Sequence, residues 1–433
     1  MNGTQLNSIV DVICHSFRHL NPHLIEHGER VAFILMNMLR DTNYYTQQEK
    51  EDIFMLGLFH DIGAFKKEDV DSMLTFDLND SMEHSVSGYL LFRTFSPLPE
   101  YADVILYHHQ CNAQYYPVPI NNYHRDIAKL IYLADRIDIS CILNKTERLE
   151  TFFQNYDENI FTPFMVDWFL DANAKYHILE KIQSLEYQRE LAEYSRCHFS
   201  LSRAQIHNYL MTFIFSVNFR NEYAALHTSH ALYLSENIAD TLHLPPTDCK
   251  IVQLAMLLHN IGKITVPSHL TATDDYNQYL TELYRSPTLN VARDILTDAD
   301  DLQAFQIIEE AFALIKCWFS NTAADSALAP VVEAVALSYV MSDSLTYDLE
   351  VSLNDYPQLL TYLKGKYYNC KMDDSMLRTL ERDFEQIIAN TQSSSKAILH
   401  THNQMMDEHS YLNTIILHYN HYNNKYHPSP TVF

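Results

Sequence analysis

With 30 basic against 55 acidic side chains, this 433-residue chain carries a formal charge of −25. That excess repels polyanions and excludes an ordinary DNA or RNA polymer binder, which needs clustered Lys and Arg against the phosphate backbone. A small anionic substrate stays open if metal ions supply the local positive charge. At 47% hydrophobic residues the chain can bury substantial cores, and a prior of roughly 150 residues per domain gives two or three domains.

Seven scattered cysteines with no CxxC pair read as reduced thiols of a cytoplasmic protein. The first residues lack the basic-then-apolar layout of a signal peptide, and no apolar run reaches the ~18 residues of a membrane span. Only 7 Gly and 14 Pro punctuate the sequence.

In chain order, VAFILMNML, EDIFMLGLFH, ADVILYHH and DIAKLIYLADRI place apolar residues three and four apart, the period of helices burying one face. Hairpin signals between β-branched runs are missing. The fold class expected is all-α. Residues 166–218 read as helical nearly throughout, so the two halves join through a helical linker near residue 200 rather than a Gly/Pro/Ser tether.

The halves echo each other. His60 of FMLGLFHDIG follows His27 of HGERVAFIL by 33 residues, and His259 of LAMLLHNIGKITVP follows His227 by 32. FTPFMVDWF, from Phe161, is echoed more faintly by MDDSMLRTL, from Met372. A tandem duplication with a period of roughly 200 residues is expected, with domains over 1–200 and 201–433.

Chemistry concentrates in the first half: His27, His60 with Asp61, His84, His108 with His109, and Asp135. Imidazole and carboxylate suit divalent iron, manganese or zinc. A lone His on an amphipathic helix is usually a surface or core residue, but seven such groups on helical segments suffice for two ions if Asp61 bridges them. HDIG sets two of them beside a glycine that lets the chain turn sharply.

This series resembles the HD-GYP subgroup of the HD superfamily over roughly residues 20–170. The matching segments are HGERVA at His27, HDIG at 60–63, EHSVSGYLL around His84, HHQ at 108–110, YP at 116–117, LADRID at 133–138 and FTPFMVDWF at 161–169. The resemblance implies two tandem HD-superfamily helical bundles. It implies that His27, His60, Asp61 and Asp135 hold one iron or manganese ion, and that Asp61, His84, His108 and His109 hold the other. It further implies a phosphodiesterase acting on a cyclic dinucleotide, cyclic di-GMP or cyclic GMP-AMP, with Asp61 and His60 at the catalytic centre. Two such cations share a hydroxide for attack on the phosphodiester.

Ala64 stands where the family usually has a lysine that contacts phosphate, which leaves Lys66 and Lys67 as substitutes; Tyr116 is the retained part of the loop that names the family. His23, one turn before His27, stands where some relatives carry a Glu for a third metal.

The second half keeps His227 and His259 but has Asn260 in place of the bridging carboxylate, Ser286 where the next His is expected, no HH pair, and Asp343 as a doubtful counterpart of Asp135. A neutral amide is a poor bridge between divalent ions. This half is expected to be structural or regulatory: packing on the first half, forming a homodimer, or binding a ligand in the vacated pocket. Two other readings stand beside the cyclic dinucleotide hydrolase: an HD-type phosphohydrolase of another nucleotide, and a non-catalytic cyclic dinucleotide sensor or scaffold.

Overall fold

The computed structural model describes residues 22–64, 81–109, 118–142, 160–199, 222–259, 302–320, 329–347 and 374–426, with isolated positions between them. Every element among the described residues is helical, as the sparse Gly and Pro predict. Lys66, Lys67, Tyr116, Asn260, Lys263 and Ser286 lie outside the described residues. No described helix is long and apolar enough to cross a membrane.

The chain divides into two compact units. One is Met1–Ser216 together with Met405–Phe433; the other is Val217–Gln404. Residues 405–433, expected from sequence to go with the second half, fall in the first unit.

The first unit is built around α1 (Pro22–Leu39), which packs on α2 (Gln47–Phe59), α5 (Asn122–Ile142), α6 (Pro163–Tyr176), α7 (Ile178–Gln183) and α8 (Tyr187–His198). Val31, Ala32, Phe33, Ile34 and Leu35 are all fully buried. A helix with an unbroken apolar run belongs in the middle of a bundle rather than at its edge.

α2 starts at a capping box in which the Thr46 side chain accepts from the Glu49 amide and Glu49 accepts from the Thr46 amide, satisfying two of the four orphan donors of a helix start. α3 (Ser81–Phe95) and α4 (Ala102–Tyr107) pack together, and α4 leans on α5. On α5 the buried residues Ile127, Ala128, Ile131, Leu133, Ala134 and Ile137 follow helical spacing.

Two glycines set how closely these helices approach. A Cβ on Gly28 would stand 2.3 Å from the Leu58 carbonyl oxygen, so α1 and α2 meet almost backbone to backbone beside His27 and His60. A Cβ on Gly63 would stand 2.0 Å from the His84 carbonyl oxygen and 2.5 Å from the Gly88 nitrogen. The turn after α2 is therefore pressed directly onto α3.

In the second unit α9 (Glu222–Thr241) packs on α10 (Pro246–Leu258) and α12 (Pro330–Tyr347), and α11 (Leu302–Ser320) packs on α10 and α12. The last helix, α13 (Asp374–Tyr426), runs for 53 residues. Its residues up to Gln404 belong to the second unit and those from Met405 to the first.

Candidate metal centre

Three helices and two helix ends deliver the seven sequence-predicted groups to one place. α1 carries His27, the end of α2 carries His60 and Asp61, α3 carries His84, the end of α4 carries His108 and His109, and α5 carries Asp135. All seven side chains are buried.

Six of them fall into two groups that share Asp61: His27, His60 and Asp61, and Asp61, His84, His108 and His109. Within each group the donor atoms lie within 4.8 Å of one another. The two oxygens of Asp61 divide between them. Oδ2 lies 3.2 Å from His60 Nε2 and 3.6 Å from His27 Nε2, while Oδ1 lies 3.3 Å from both His84 Nε2 and His108 Nε2.

Asp135 stands beside the first group, with Oδ1 3.2 Å from His27 Nε2. His109 Nε2 is 3.2 Å from His84 Nε2. His23 is exposed on α1, one turn before His27, and belongs to neither group.

These separations fit a metal better than they fit a hydrogen-bonded cluster. Among the described residues neither Asp61 oxygen has a hydrogen-bond partner, nor do His60 Nε2 and His109 Nδ1, although all four atoms are fully buried. Buried polar atoms without partners are rare and costly. Two donors held about 2.1 Å from one ion at tetrahedral or octahedral angles stand roughly 3.0–3.5 Å apart, which is the spacing around Asp61.

The outer contacts fix which nitrogen faces inward. His60 donates from Nδ1 to the Gly57 carbonyl at 2.8 Å, and His108 donates from Nδ1 to the Ile105 carbonyl at 2.5 Å. Both bonds use carbonyls that a helix end leaves without an intrahelical partner. His27 donates from Nδ1 to Asp138 Oδ2 at 2.7 Å, and Asp138 is held by Arg30 through Nε at 2.6 Å and Nη2 at 3.1 Å. Each imidazole thereby turns Nε2 toward the centre while its outward nitrogen is held by a carbonyl or carboxylate, as in metal-binding histidines.

Asp138, Arg30 and Arg136 were not singled out by sequence reasoning. Arg136 donates to Asp135 Oδ2 from Nη2 at 2.7 Å and Nε at 3.0 Å. A signal was there: Asp138 lies one turn beyond Asp135 inside LADRID, and Arg30 lies one turn beyond His27 inside HGERVA.

Electrostatics follow from burial set against these partners. Burial alone would raise the Asp61 carboxyl, but the imidazoles of His60, His108 and His84 outweigh it and hold the group well below the usual carboxylate range. Burial would likewise raise Asp135, yet Arg136, His27 and His109 hold it down. His84 is lowered to about 4 by burial, and His109 is also pushed down by burial, with His108 and His84 adding to the effect. For His27 burial is outweighed by Asp135 and Asp138, which lift it to about 10. The centre therefore holds ionised carboxylates beside the neutral imidazoles of His84 and His109, while Asp135 and Asp138 keep a proton on His27 that a divalent cation would have to displace.

The second unit repeats part of this geometry. His259 ends α10 as His60 ends α2, with φ −59° and ψ −29° against −57° and −32°. It donates from Nδ1 to the Met256 carbonyl at 2.5 Å. The His227 and His259 ring centroids are 5.0 Å apart, against 5.1 Å for His27 and His60.

The partners differ. His227 presents Nδ1 to His259 Nε2 at 3.2 Å; with the His259 proton on Nδ1, His227 must be the donor. On α12 the Tyr339 ring stands edge-on to His259 at 5.5 Å, and Ser338 and Ser342 are buried. Asp343 lies on the same helix, one residue past Ser342.

Residues 24–139, which include all seven groups, match the family described as HD domain. HD domains bind divalent metals. Among curated proteins, the 3'3'-cGAMP-specific phosphodiesterase 1 of Vibrio cholerae serotype O1 is 33% identical over 115 residues, 26% of this chain and 26% of that protein. The chain thus spans about a quarter of the length of this curated relative in the match. A solved structure of a cyclic GMP-AMP specific phosphodiesterase from V. cholerae is 15% identical, with a TM-score of 0.49, over 87% of this chain and 97% of that one.

Proposed function

We propose that this protein is a metal-dependent phosphodiesterase of the HD-GYP type that hydrolyses a cyclic dinucleotide, cyclic di-GMP or cyclic GMP-AMP. The observation that carries this reading is Asp61: one buried carboxylate with each oxygen turned to a different pair of imidazoles. The 33% identical relative is named for a 3'3'-cGAMP activity, and the HD-domain match covers residues 24–139, the segment that bears the centre.

In this reading His27, His60, Asp61 and Asp135 hold one ion and Asp61, His84, His108 and His109 the other, with iron or manganese as the metals. Two such ions, when bound, supply Lewis acidity toward a phosphodiester and an activated water. Asp61 holds the two positions in register. The helix-end carbonyls keep His60 and His108 in the tautomer that faces inward, and Asp138 does the same for His27. The packing of α1, α3 and α5 keeps bulk water from the ligands.

We further propose that the second unit is a degenerate copy of the first, retaining the scaffold and the His227–His259 pair without the carboxylates. The hydrogen bond from His227 Nδ1 to His259 Nε2 supports this. It turns the two imidazoles on each other where the first unit turns them on Asp61.

Protein loaded anaerobically with manganese or iron, and shown to carry two ions per chain, should linearise cyclic GMP-AMP or cyclic di-GMP. Asp61→Asn should abolish turnover and weaken metal binding while helical content is kept. Two ions bound with neither dinucleotide cleaved would refute the reading, and dinucleotide binding without cleavage would assign the chain to sensing instead.

A further inference from the structure

We propose that Glu408 and His409, near the far end of the last helix, are positioning residues for the four-donor group of Asp61, His84, His108 and His109; the inference rests on the metal reading above. His84 is delivered by α3, and α3 is gripped from two sides. The Gly63 turn, which follows His60 and Asp61, is pressed onto His84 and Gly88. Separately, Arg93 donates to Glu408 through Nη1 at 2.6 Å and Nη2 at 2.5 Å, and Ser87 Oγ lies 3.0 Å from His409 Nε2. The Asn413 amide nitrogen lies 3.2 Å from His409 Nε2 and 3.4 Å from its Nδ1.

This stretch of α13 is a packed part of the first unit. Met405, His409, Leu412 and Ile416 are all buried, at the spacing of one helical face. Ser87, itself 3% exposed, is one turn from His84. A paired guanidinium and carboxylate at one end of the contact and a buried imidazole at the other fix α3 both along its axis and about it.

The consequence reaches the ligands because their tolerance is small. His84 Nε2 must stay near Asp61 Oδ1, at 3.3 Å, and near His109 Nε2, at 3.2 Å. Metal–ligand distances hold to about ±0.2 Å, so a slip of α3 by a fraction of an ångström removes His84 from the set. The other group, His27, His60 and Asp61, includes no residue of α3.

The test is made in the full chain by chelator competition. In the double variant Glu408→Gln, His409→Ala, one of the two ions should be released about 10–100-fold more readily, the usual effect of losing outer support. It should be the same ion that His84→Ala loses. Glu408→Arg alone should loosen that ion, and adding Arg93→Glu should restore it, which a general loss of stability would not do. Helical content monitors folding; if the double variant does not fold, Glu408→Gln is read in the same way. Wild-type affinity for both ions in these variants overturns the positioning role while leaving the metal centre intact. A wild-type chain that holds no ion overturns the metal reading, and this inference with it.

Discussion

Gly63→Ala tests whether the centre depends on the turn after α2 lying against α3. The added methyl would stand 2.0 Å from the His84 carbonyl oxygen and 2.5 Å from the Gly88 nitrogen, whereas ordinary contact begins at about 3.5 Å. Both neighbours are helix backbone and cannot swing aside. Relief requires the turn and α3 to part by more than roughly 1 Å, several times the ±0.2 Å that a metal site tolerates. The parting runs between Asp61 and His84, now 3.3 Å apart.

Overpacking of this kind costs about 1–3 kcal/mol, so the protein should still fold, with a lowered melting temperature. The four-donor group should lose its ion, and turnover should fall about 100-fold or more, the scale of a 1 Å misplacement at a reacting centre. Metal analysis, thermal unfolding and product chromatography on one preparation read all three effects. An alanine variant that keeps two ions at wild-type affinity and full turnover would refute the reasoning, because the turn would then have no part in setting the ligand spacing.

Asp138→Asn keeps the shape but removes the charge that orients His27; metal affinity of the three-donor group should drop about 10–100-fold, seen in chelator competition, with the other ion unaffected. In the second unit, His230 is lowered to about 4 by burial, with His227 adding to it. The unfolded chain therefore takes up a proton near pH 6.5 that the folded unit refuses until about 4. Stability must fall as pH drops through that window, by up to about 3 kcal/mol; His230→Asn should flatten the acid limb of an unfolding profile, and an unchanged limb would discount this histidine. Thr46→Ala removes the cap of α2 and should cost about 1 kcal/mol, a melting shift of a few degrees, without changing the metal count.

The helical class and the seven inward-facing groups were legible because each rests on a local regularity: a 3.6-residue apolar period, or a His at the end of an apolar run. His60 and His108 illustrate it, since both close helices and both use the last turn's carbonyls. Asp138 was harder to see because its role depends on Arg30 and His27, 108 and 111 residues away. The return of residues 405–426 to the first unit was not legible at all. α13 continues through Gln404 with no glycine, proline or capping signal, and its contacts with Ser87 and Arg93 span more than 300 residues. Expectations for Lys66, Lys67 and Tyr116 concern segments outside the described residues.

The bond from His60 Nδ1 to a main-chain carbonyl divides the proposed ligands into two kinds. A carbonyl is present whatever side chain occupies position 57, so the orientation of His60, and equally that of His108, does not depend on the side chain of its supporting residue. His27 takes its support from a side chain, and so its basicity is tunable by a single codon change at position 138. Any adjustment of metal preference or reactivity by mutation has its easiest handle there. In the second unit His259 likewise bonds a main-chain carbonyl, that of Met256, whereas His227 presents its Nδ1 to a side chain, His259.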